Sequence, residues 1–320
     1  MTKKLAVIFF GRQFTLSLKV LQAVAARHRV VGVVESQPFG YQPRRGWKRL
    51  LHHTSAGADI RRFARKASIP YFLLTPDRIE PLCVFVKSLR PDAGVIVHMV
   101  QLLPPRVMAL FPHGVLNVHP SLLPQYRGPL PVFWTYYNQE RVSGVTVHFI
   151  DAGEDMGDIV KQARIPIAFG ESSRSFLSQC AEKAAPLVVE ALDDMRHGSL
   201  ERRPQRSLSC PFRARFLKPG ENPIAWNDWP IERIFHTLQG GGSLDLLPPR
   251  RFPLALMHWR VAGYDACPGT AGDAAVRWSG GRVCVVLRQG RIFLQPVPSV
   301  SQVWRGLRDW WRSSTREHSR

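Results

Sequence analysis

The sequence predicts an α/β fold over about its first 170 residues, followed by a smaller domain of short strands. In the first part, apolar runs alternate with segments of helical periodicity, which is typical of strand–helix–strand units. Arginine, proline and serine without periodicity fill residues 201–223, and closely spaced apolar runs follow them. We therefore predict a first domain over residues 1–205, a linker over 206–223 and a C-terminal domain over 224–320.

The elements of the first domain follow from the period of their apolar residues. Apolar runs bounded by turn residues predict strands, which we place at Leu5–Phe10, Arg29–Val34, Tyr71–Leu74, Ala93–Val100, Val115–His119, Gly144–Ile150 and Ile159–Ile167. Apolar residues that recur every three or four positions predict helices, which we place at Phe14–Ala26, Ile60–Ala67, Ile79–Ser88, Pro105–Phe111, Pro131–Asn138 and Ser172–Met195. The last two strands are expected to form a hairpin, and residues 36–56 a loop.

The C-terminal domain is predicted to be a small, OB-like β-barrel preceded by one helix. The helix is placed at Ile231–Leu238, and short strands at close spacing favour a barrel. These strands are placed at Leu256–Ala262, Ala274–Trp278, Val283–Leu287 and Ile292–Val297. Apolar residues at helical spacing from Val303 to Trp311 predict a terminal helix that packs on the barrel, with a helix on a membrane surface as the alternative.

The charge balance indicates a polyanionic partner. The chain has 44 Lys and Arg residues against 24 Asp and Glu, a formal net charge of +20. Such an excess attracts nucleic acid, anionic lipid or a phosphorylated substrate. The basic residues are densest between Ser36 and Lys66, where Tyr41 and Trp47 lie among them. They are Arg44, Arg45, Lys48, Arg49, Arg61, Arg62, Arg65 and Lys66. A solvated basic face is the alternative interpretation of this segment.

Membrane spans, disulfide frameworks and zinc sites are not predicted. No apolar run approaches the ~18–20 residues that a transmembrane helix needs. The first apolar run ends at Gly11 and lacks a small-residue cleavage site, so we interpret it as a strand and not a signal peptide. The five cysteines are scattered without a C-x-x-C pair, which favours reduced thiols in the cytoplasm.

Three polar residues form the strongest candidate for catalysis. Asn117 and His119 lie two positions apart at the end of a predicted strand, so their side chains point to the same face. Ligands of open α/β sheets bind at such strand ends. Asp155 lies in a glycine-bracketed loop that could bring a carboxylate to the imidazole. Together these groups suit acyl transfer, because the amide and imidazole polarise an oxyanion while the carboxylate manages protons. Taken singly, each residue type more often serves structure.

The combination resembles the folate-dependent formyltransferase family. The residues that carry the resemblance are Asn117-Val-His119-Pro-Ser121-Leu-Leu-Pro124 and the loop Asp151-Ala-Gly-Glu-Asp155, which match the family's N-x-H-x-S-L-L-P motif and its D-x-G loop. The separation of 38 residues between Asn117 and Asp155 is also the family's. The resemblance extends over residues 1–205. A weaker one, at Ile224-Ala-Trp226 and Pro268-Gly269-Thr270, is to the C-terminal domain of the methionyl-tRNA branch.

The resemblance implies a Rossmann-like catalytic domain that takes 10-formyltetrahydrofolate as its formyl donor and needs no metal. It implies that Asn117 holds the formyl oxygen, that His119 stabilises the oxyanion, and that Asp155 positions His119 and a proton-carrying water. The folate ring is then expected against Met99, Gln101, Leu102, Leu103, Ile150 and Asp151. Contacts to the acceptor are expected from Arg44, Arg45, Lys48, Arg49 and Arg127.

The sequence leaves the chemical class of the formyl acceptor undecided. The basic segment stands where the methionyl-tRNA branch has its tRNA-contacting loop, and it favours the amino group of methionyl-tRNA, because phosphate neutralisation supplies most nucleic-acid affinity. Pro120, where that branch has glycine, is nearer to the purine-pathway and sugar-amine branches and favours an amino sugar nucleotide or another small, phosphorylated amine. Hydrolysis of the formylfolate, and RNA binding without turnover, are further alternatives, although a binding module does not need the three catalytic residues.

Overall fold

The computed structural model of the protein describes residues 4–37, 59–151, 153–205, 212–218, 220–241, 258–267, 274–279 and 282–297. Within these ranges the strands are β1 (Ala6–Gly11), β2 (Arg29–Ser36), β3 (Tyr71–Leu74), β4 (Ala93–Val97), β5 (Val115–His119), β6 (Val142–Phe149), β7 (Ile159–Pro166), β8 (His258–Asp265), β9 (Ala275–Ser279), β10 (Arg282–Leu287) and β11 (Gly290–Val297). The helices are α1 (Thr15–Arg27), α2 (Ile60–Lys66), α3 (Ile79–Leu89), α4 (Pro105–Met108), α5 (Pro131–Tyr137), α6 (Ser173–His197) and α7 (Ile231–Gln239).

The first seven strands form one mixed sheet in the order β3-β2-β1-β4-β5-β6-β7. Strands β1 to β5 are parallel, and β6 and β7 form an antiparallel hairpin at one side, as predicted. Because β1, β4 and β5 are parallel, their carboxyl ends lie at one edge of the sheet. The strand order reverses between β1 and β4, and a crevice is expected between these two strands at that edge. Such a crevice is the usual ligand site of a doubly wound sheet.

Apolar clusters cover both faces of this sheet. Helices α1 and α6 pack on one face, where α6 buries residues spaced three or four apart, including Phe176, Cys180, Ala184 and Val188. Helix α6 begins where the Ser172 side chain accepts a hydrogen bond from the Ser175 backbone and ends at the left-handed Gly198. Helices α3 and α4 cover the other face. The candidate site lies on this second face.

Two predicted elements end three residues earlier than expected. Strand β4 ends at Val97 and not at Val100, because His98 adopts a left-handed backbone with φ of +57° that turns the chain out of the sheet. Helix α4 is a single turn that ends at Met108 and not at Phe111. Phe111 precedes Pro112, and a residue before proline is disfavoured in the helical region.

The predicted linker is part of the folded structure where it is described. Residues 212–218 lie against the loop between β5 and α5, since the Tyr126 amide donates to the Phe212 carbonyl and the Ala214 amide to that of Arg127. Ala214 is completely buried. Pairing with the loop satisfies backbone groups of this stretch and removes the Ala214 side chain from water.

The C-terminal region contains a four-stranded antiparallel sheet in the order β8-β11-β10-β9. Its apolar face packs with α7 and with Phe133 and Trp134 of α5. The four predicted strands are thus present in the described residues, whereas closure into an OB-like barrel is not confirmed. The predicted terminal helix at 303–311 and residues 38–56 of the predicted loop at 36–56 lie outside the described residues. Ser36 is the last residue of β2, and the domain boundaries stay a prediction.

Candidate active site

Strand β5 brings two of the predicted catalytic side chains to one face of the sheet. Alternate residues of an extended strand share a face, and Val115 packs into the apolar cluster under α3 and α4. Leu116 and Val118 face the opposite cluster. Asn117 and His119 therefore stand on the α3 face, near the carboxyl end of the strand, as the sequence predicts.

Asp155 reaches both of these residues from the loop that follows β6. Its Oδ1 accepts a hydrogen bond from Asn117 Nδ2 at 3.3 Å, and its Oδ2 lies 3.4 Å from Nδ1 of His119. The same Oδ2 accepts a hydrogen bond from the backbone amide of Gly128 at 3.0 Å. The structure thus brings to the amide and the imidazole of β5 a carboxylate that is 38 residues from Asn117 along the chain.

Close backbone packing explains the glycines around this carboxylate. A Cβ on Gly157 would lie 2.0 Å from the carbonyl oxygen of Phe149, and one on Gly128 would lie 2.8 Å from that of Ala214. Gly128 also has a φ of +116°, which favours glycine. Asp155 itself is left-handed, with φ of +54°. A non-glycine residue in this conformation is strained and is held by its surroundings.

His148 is a site residue that the motif analysis did not select. It pairs directly with Asn117 across the antiparallel β5–β6 ladder. Its Nδ1 lies 2.8 Å from the Phe149 carbonyl oxygen, and its Nε2 lies 3.1 Å from Asn117 Nδ2. His148 Nε2 also lies 3.6 Å from Oδ1 of Asp155, so this ring packs against both the amide and the carboxylate of the site. The strand pairing that reveals this contact is the only signal for it.

The electrostatics keep Asp155 ionised. Burial by itself would raise the pKa of Asp155, but the charges of His119 and His148 and the hydrogen bonds from His148 and Gly128 hold this pKa well below its usual range. His119 Nε2 lies 2.9 Å from the Tyr126 carbonyl oxygen, opposite the carboxylate. The His119 ring is therefore held between the Asp155 carboxylate and the Tyr126 carbonyl oxygen.

Neither a metal-binding cluster nor a membrane-spanning helix occurs in the described ranges. No group of three or more His, Cys, Asp or Glu side chains there is arranged to hold a metal ion. No helix in the same part of the chain is both long and apolar enough to cross a membrane.

Comparisons with known proteins identify the family to which the chain belongs. The family profile described as Formyl transferase matches residues 49–192. A methionyl-tRNA formyltransferase of Pelobacter propionicus is 32% identical over 298 residues, which cover 91% of this chain and 87% of that protein. The chain belongs to the formyltransferase family. Another methionyl-tRNA formyltransferase, from Thermodesulfovibrio yellowstonii, is 30% identical over 73% of this formyltransferase and 72% of its own length.

Solved structures share the fold of this formyltransferase at lower sequence identity. HypX from Aquifex aeolicus has a TM-score of 0.62 and 14% identity, over 95% of this chain and 49% of its own. An N-formyltransferase from Helicobacter canadensis, in complex with folinic acid and dTDP-3-aminofucose, has a TM-score of 0.60 and 15% identity, over 91% of this chain and 99% of its own. These structures confirm the Rossmann-like α/β fold that the sequence predicts.

The four apolar residues predicted for the donor side of this formyltransferase divide into a buried group and one exposed side chain. Met99, Leu103 and Ile150 belong to the apolar cluster under α3 and α4. Leu102, by contrast, is 72% exposed. Val100 and Met156, in the segments that follow β4 and β6, are also exposed. Exposed apolar side chains of this kind are surface that a planar ligand would cover.

Gln101 and Asp151, also predicted for the donor side, are engaged with the protein. The Gln101 side chain bonds to the Ser36 hydroxyl and donates to the carbonyl oxygen of Gln37, so it links the chain after β4 to the end of β2. Asp151 Oδ1 accepts from the Gly153 amide at 2.9 Å and shapes its own loop. A side-chain contact from either residue to the donor is not favoured by this geometry.

The Arg127 side chain is buried and bonds to Gln205, which holds the Asp155 loop. It is only 8% exposed, and its guanidinium donates to Oε1 of Gln205 at 3.0 Å and to the Gln205 carbonyl oxygen at 3.2 Å. Gln205 in turn donates to the carbonyl oxygens of Asp155 and Gly157. The predicted contact between Arg127 and the acceptor is therefore not favoured. The other predicted acceptor residues, Arg44, Arg45, Lys48 and Arg49, lie outside the described residues.

Proposed function

We propose that this formyltransferase transfers the formyl group of 10-formyltetrahydrofolate to the amino group of methionyl-tRNA. The observation that carries the proposal is the convergence of Asn117, His119 and Asp155 at one strand end, with Asp155 bonded to both. The name shared by the two relatives at 30% and 32% identity supports the acceptor. The folate ligand of the Helicobacter canadensis structure supports the donor.

In the proposed reaction, the amine nitrogen of the acceptor attacks the formyl carbon. The carbonyl electron pair moves to the oxygen. One N–H of the Asn117 amide turns from Asp155 to donate a hydrogen bond to that oxygen, and His119 stabilises the oxyanion. The bond from the formyl carbon to N10 of the folate then breaks, and its electron pair stays on N10. A proton lost by the amine reaches N10 through a water held by Asp155, which balances the step.

The donor is expected to bind over the apolar surface near the Asp155 loop. Leu103 and Ile150 supply its buried floor, and Val100, Leu102 and Met156 supply apolar side chains that are exposed without a ligand. Binding there would place the formyl group between the folate ring and the carboxyl end of β5. Water excluded by the ring would strengthen the interaction of the oxyanion with Asn117 and His119.

The tRNA acceptor is supported by where the basic segment joins the fold. Gln37 and Asp59 flank residues 38–58, and both are held next to the sheet edge that carries the site. The Gln37 carbonyl oxygen accepts from Gln101, and Gln13, which follows β1, accepts from the Ile60 amide at 3.0 Å. The described residues on either side of the basic segment therefore stand at the edge where the acceptor stem would bind, and a basic segment joined there favours a polyanionic acceptor.

The test is formyl transfer measured with three acceptors. Purified enzyme and 10-formyltetrahydrofolate are mixed with methionyl-tRNA, with a dTDP-linked amino sugar or with no acceptor, and released tetrahydrofolate and formylated product are quantified. We expect product from methionyl-tRNA, with kcat/KM that falls steeply as salt rises because phosphate contacts release counterions. Turnover only with the amino sugar, or without any acceptor, would replace the proposal by sugar N-formylation or by hydrolysis.

Variants of the three residues test the mechanism. Asn117→Ala, His119→Ala and Asp155→Asn should each lower kcat by about 10²-fold or more. His113→Ala serves as the control, since His113 is an exposed histidine outside the site. Rates near that of the control in all three variants would refute the assignment.

A further inference from the structure

His98 is a second histidine at the carboxyl edge of the sheet, beside His119. Strands β4 and β5 pair in register up to Val97 and Val118, so His98 and His119 are the next residues on neighbouring strands. The left-handed φ of +57° at His98 ends β4 at this point. Conformations of this kind cost energy in a non-glycine residue and cluster at functional sites.

The side chain of His98 lies in the crevice between β1 and β4, where the strand order reverses. Its ring centroid is 4.9 Å from that of Phe14, which follows β1. The guanidinium of Arg12 lies 5.2 Å from the centroid of the same phenyl ring. Ligands of doubly wound sheets bind at this crevice. His98 and Phe14 therefore stand on its two sides, next to the proposed catalytic residues.

One nitrogen of His98 lacks a partner. Nδ1 is buried, and no residue in the described part of the chain forms a hydrogen bond with it. Buried polar atoms in folded proteins are almost always hydrogen-bonded, so an unpartnered ring nitrogen in a ligand crevice indicates a group that a ligand satisfies.

The surroundings of His98 keep its ring neutral. Burial, followed by the positive charges of Arg12 and His119, lowers the pKa of His98 to about 4. A neutral imidazole offers one nitrogen that accepts a hydrogen bond. The same positive surroundings disfavour a bound ammonium ion and favour the neutral amine, which is the form that can attack a carbonyl carbon.

We propose that His98 binds the attacking amine of the acceptor through its free ring nitrogen, which accepts one N–H of the amine and directs the nitrogen lone pair at the formyl carbon. This inference rests on the proposed function and adds an acceptor-side ligand to it. The N–H bonded to His98 is the one that stays in the formamide product. The other amine proton is the one that passes to N10 of the folate, so His98 itself neither gains nor loses a proton.

Two variants separate this role from a structural one. His98→Phe keeps a ring against Phe14 but removes both nitrogens, and His98→Asn keeps a side-chain hydrogen-bond acceptor. We expect His98→Phe to lower kcat/KM for the acceptor by roughly 10-fold or more, with donor affinity and melting temperature close to wild type. His98→Asn should recover most of the loss. Donor affinity is measured by equilibrium binding of 10-formyltetrahydrofolate, and kcat/KM with the acceptor that the wild type uses.

The same experiment can overturn the inference in three ways. Retention of kcat/KM within twofold in His98→Phe would mean that the ring nitrogen does not contact the amine. Equal losses in both variants, accompanied by weaker donor binding or a lower melting temperature, would show a structural role. Absence of turnover by the wild type with every acceptor would overturn the proposed function itself, and the inference with it.

Discussion

Replacing Gln205 with leucine removes the side chain that ties the Asp155 loop to Arg127. Gln205 is completely buried. Its Nε2 donates to the carbonyl oxygens of Asp155 at 3.2 Å and Gly157 at 2.6 Å. Its Oε1 accepts from Nε of Arg127 at 3.2 Å and from the terminal nitrogen at 3.0 Å. Leucine has a similar size, so the substitution tests these four hydrogen bonds and not the filling of space.

The expected loss of unfolding free energy follows from the hydrogen bonds that remain after the substitution. A buried charge that loses its partner entirely costs about 3–5 kcal/mol, but Arg127 keeps one hydrogen bond to the Gln205 carbonyl oxygen. Two buried carbonyl oxygens also lose a donor, at about 1 kcal/mol each. We therefore expect Gln205→Leu to lower the free energy of unfolding by about 4 kcal/mol. The substitution should also lower kcat, because the backbone that holds Asp155 is less constrained.

A double-mutant cycle checks whether the interaction with Arg127 is responsible. Urea unfolding is measured for the wild type, for Gln205→Leu, for Arg127→Met and for the double variant. Because the double variant has no buried guanidinium left unpaired, its loss should be smaller than the sum of the two single losses by at least about 1 kcal/mol. The reasoning would be refuted if the loss in the double variant equalled the sum of the two single losses within about 0.5 kcal/mol. It would also be refuted if Gln205→Leu kept the stability and the kcat of the wild type.

Two further predictions concern the loop and the acid stability. Gly157→Ala should lower kcat by about 10-fold or more, because its Cβ would lie 2.0 Å from the Phe149 carbonyl oxygen and the Asp155 loop must move. Gly263→Ala is the control, since the nearest atom to its Cβ lies at 3.9 Å, and equal kcat values in the two variants would contradict the prediction. Burial lowers the pKa of His236, so the unfolded chain binds a proton there more readily than the folded one. Its contribution to stability is thus complete above a pH of about 6.5 and is lost as the pH falls below that value. His236→Phe should reduce the loss of unfolding free energy between pH 7.5 and pH 5, and an unchanged difference in urea unfolding would count against this.

Local periodicity was sufficient to predict most of the first domain. Strands β3 and β5 begin and end at the predicted residues, and the other strands and α1, α2, α3, α5 and α6 agree within a few positions. This works because each strand or helix must bury one face, and the period of the apolar residues records that face. The early end of β4 was not predictable in this way, since the conformation of His98 depends on neighbours from other strands.

The candidate site was predictable only in part, for the same physical reason. The shared face of Asn117 and His119 follows from the period of two along one strand. The approach of Asp155 was anticipated from a resemblance and from a flexible, glycine-bracketed loop. Neither His148 nor Gln205 stood out, because their roles depend on the β5–β6 register and on a buried contact across 50 residues of chain.

The sequence by itself therefore determined the element types, the α/β class and the two strand residues of the site, since these depend on interactions among near neighbours along the chain. It also determined a net charge of +20, which biases the protein toward polyanions whatever the fold. Only the tertiary structure decided that residues 212–218 pair with the loop between β5 and α5, that the Arg127 guanidinium bonds to Gln205, and that β4 and β5 pair up to Val97 and Val118. These facts depend on contacts between distant segments, which packing and strand register create and no local pattern records.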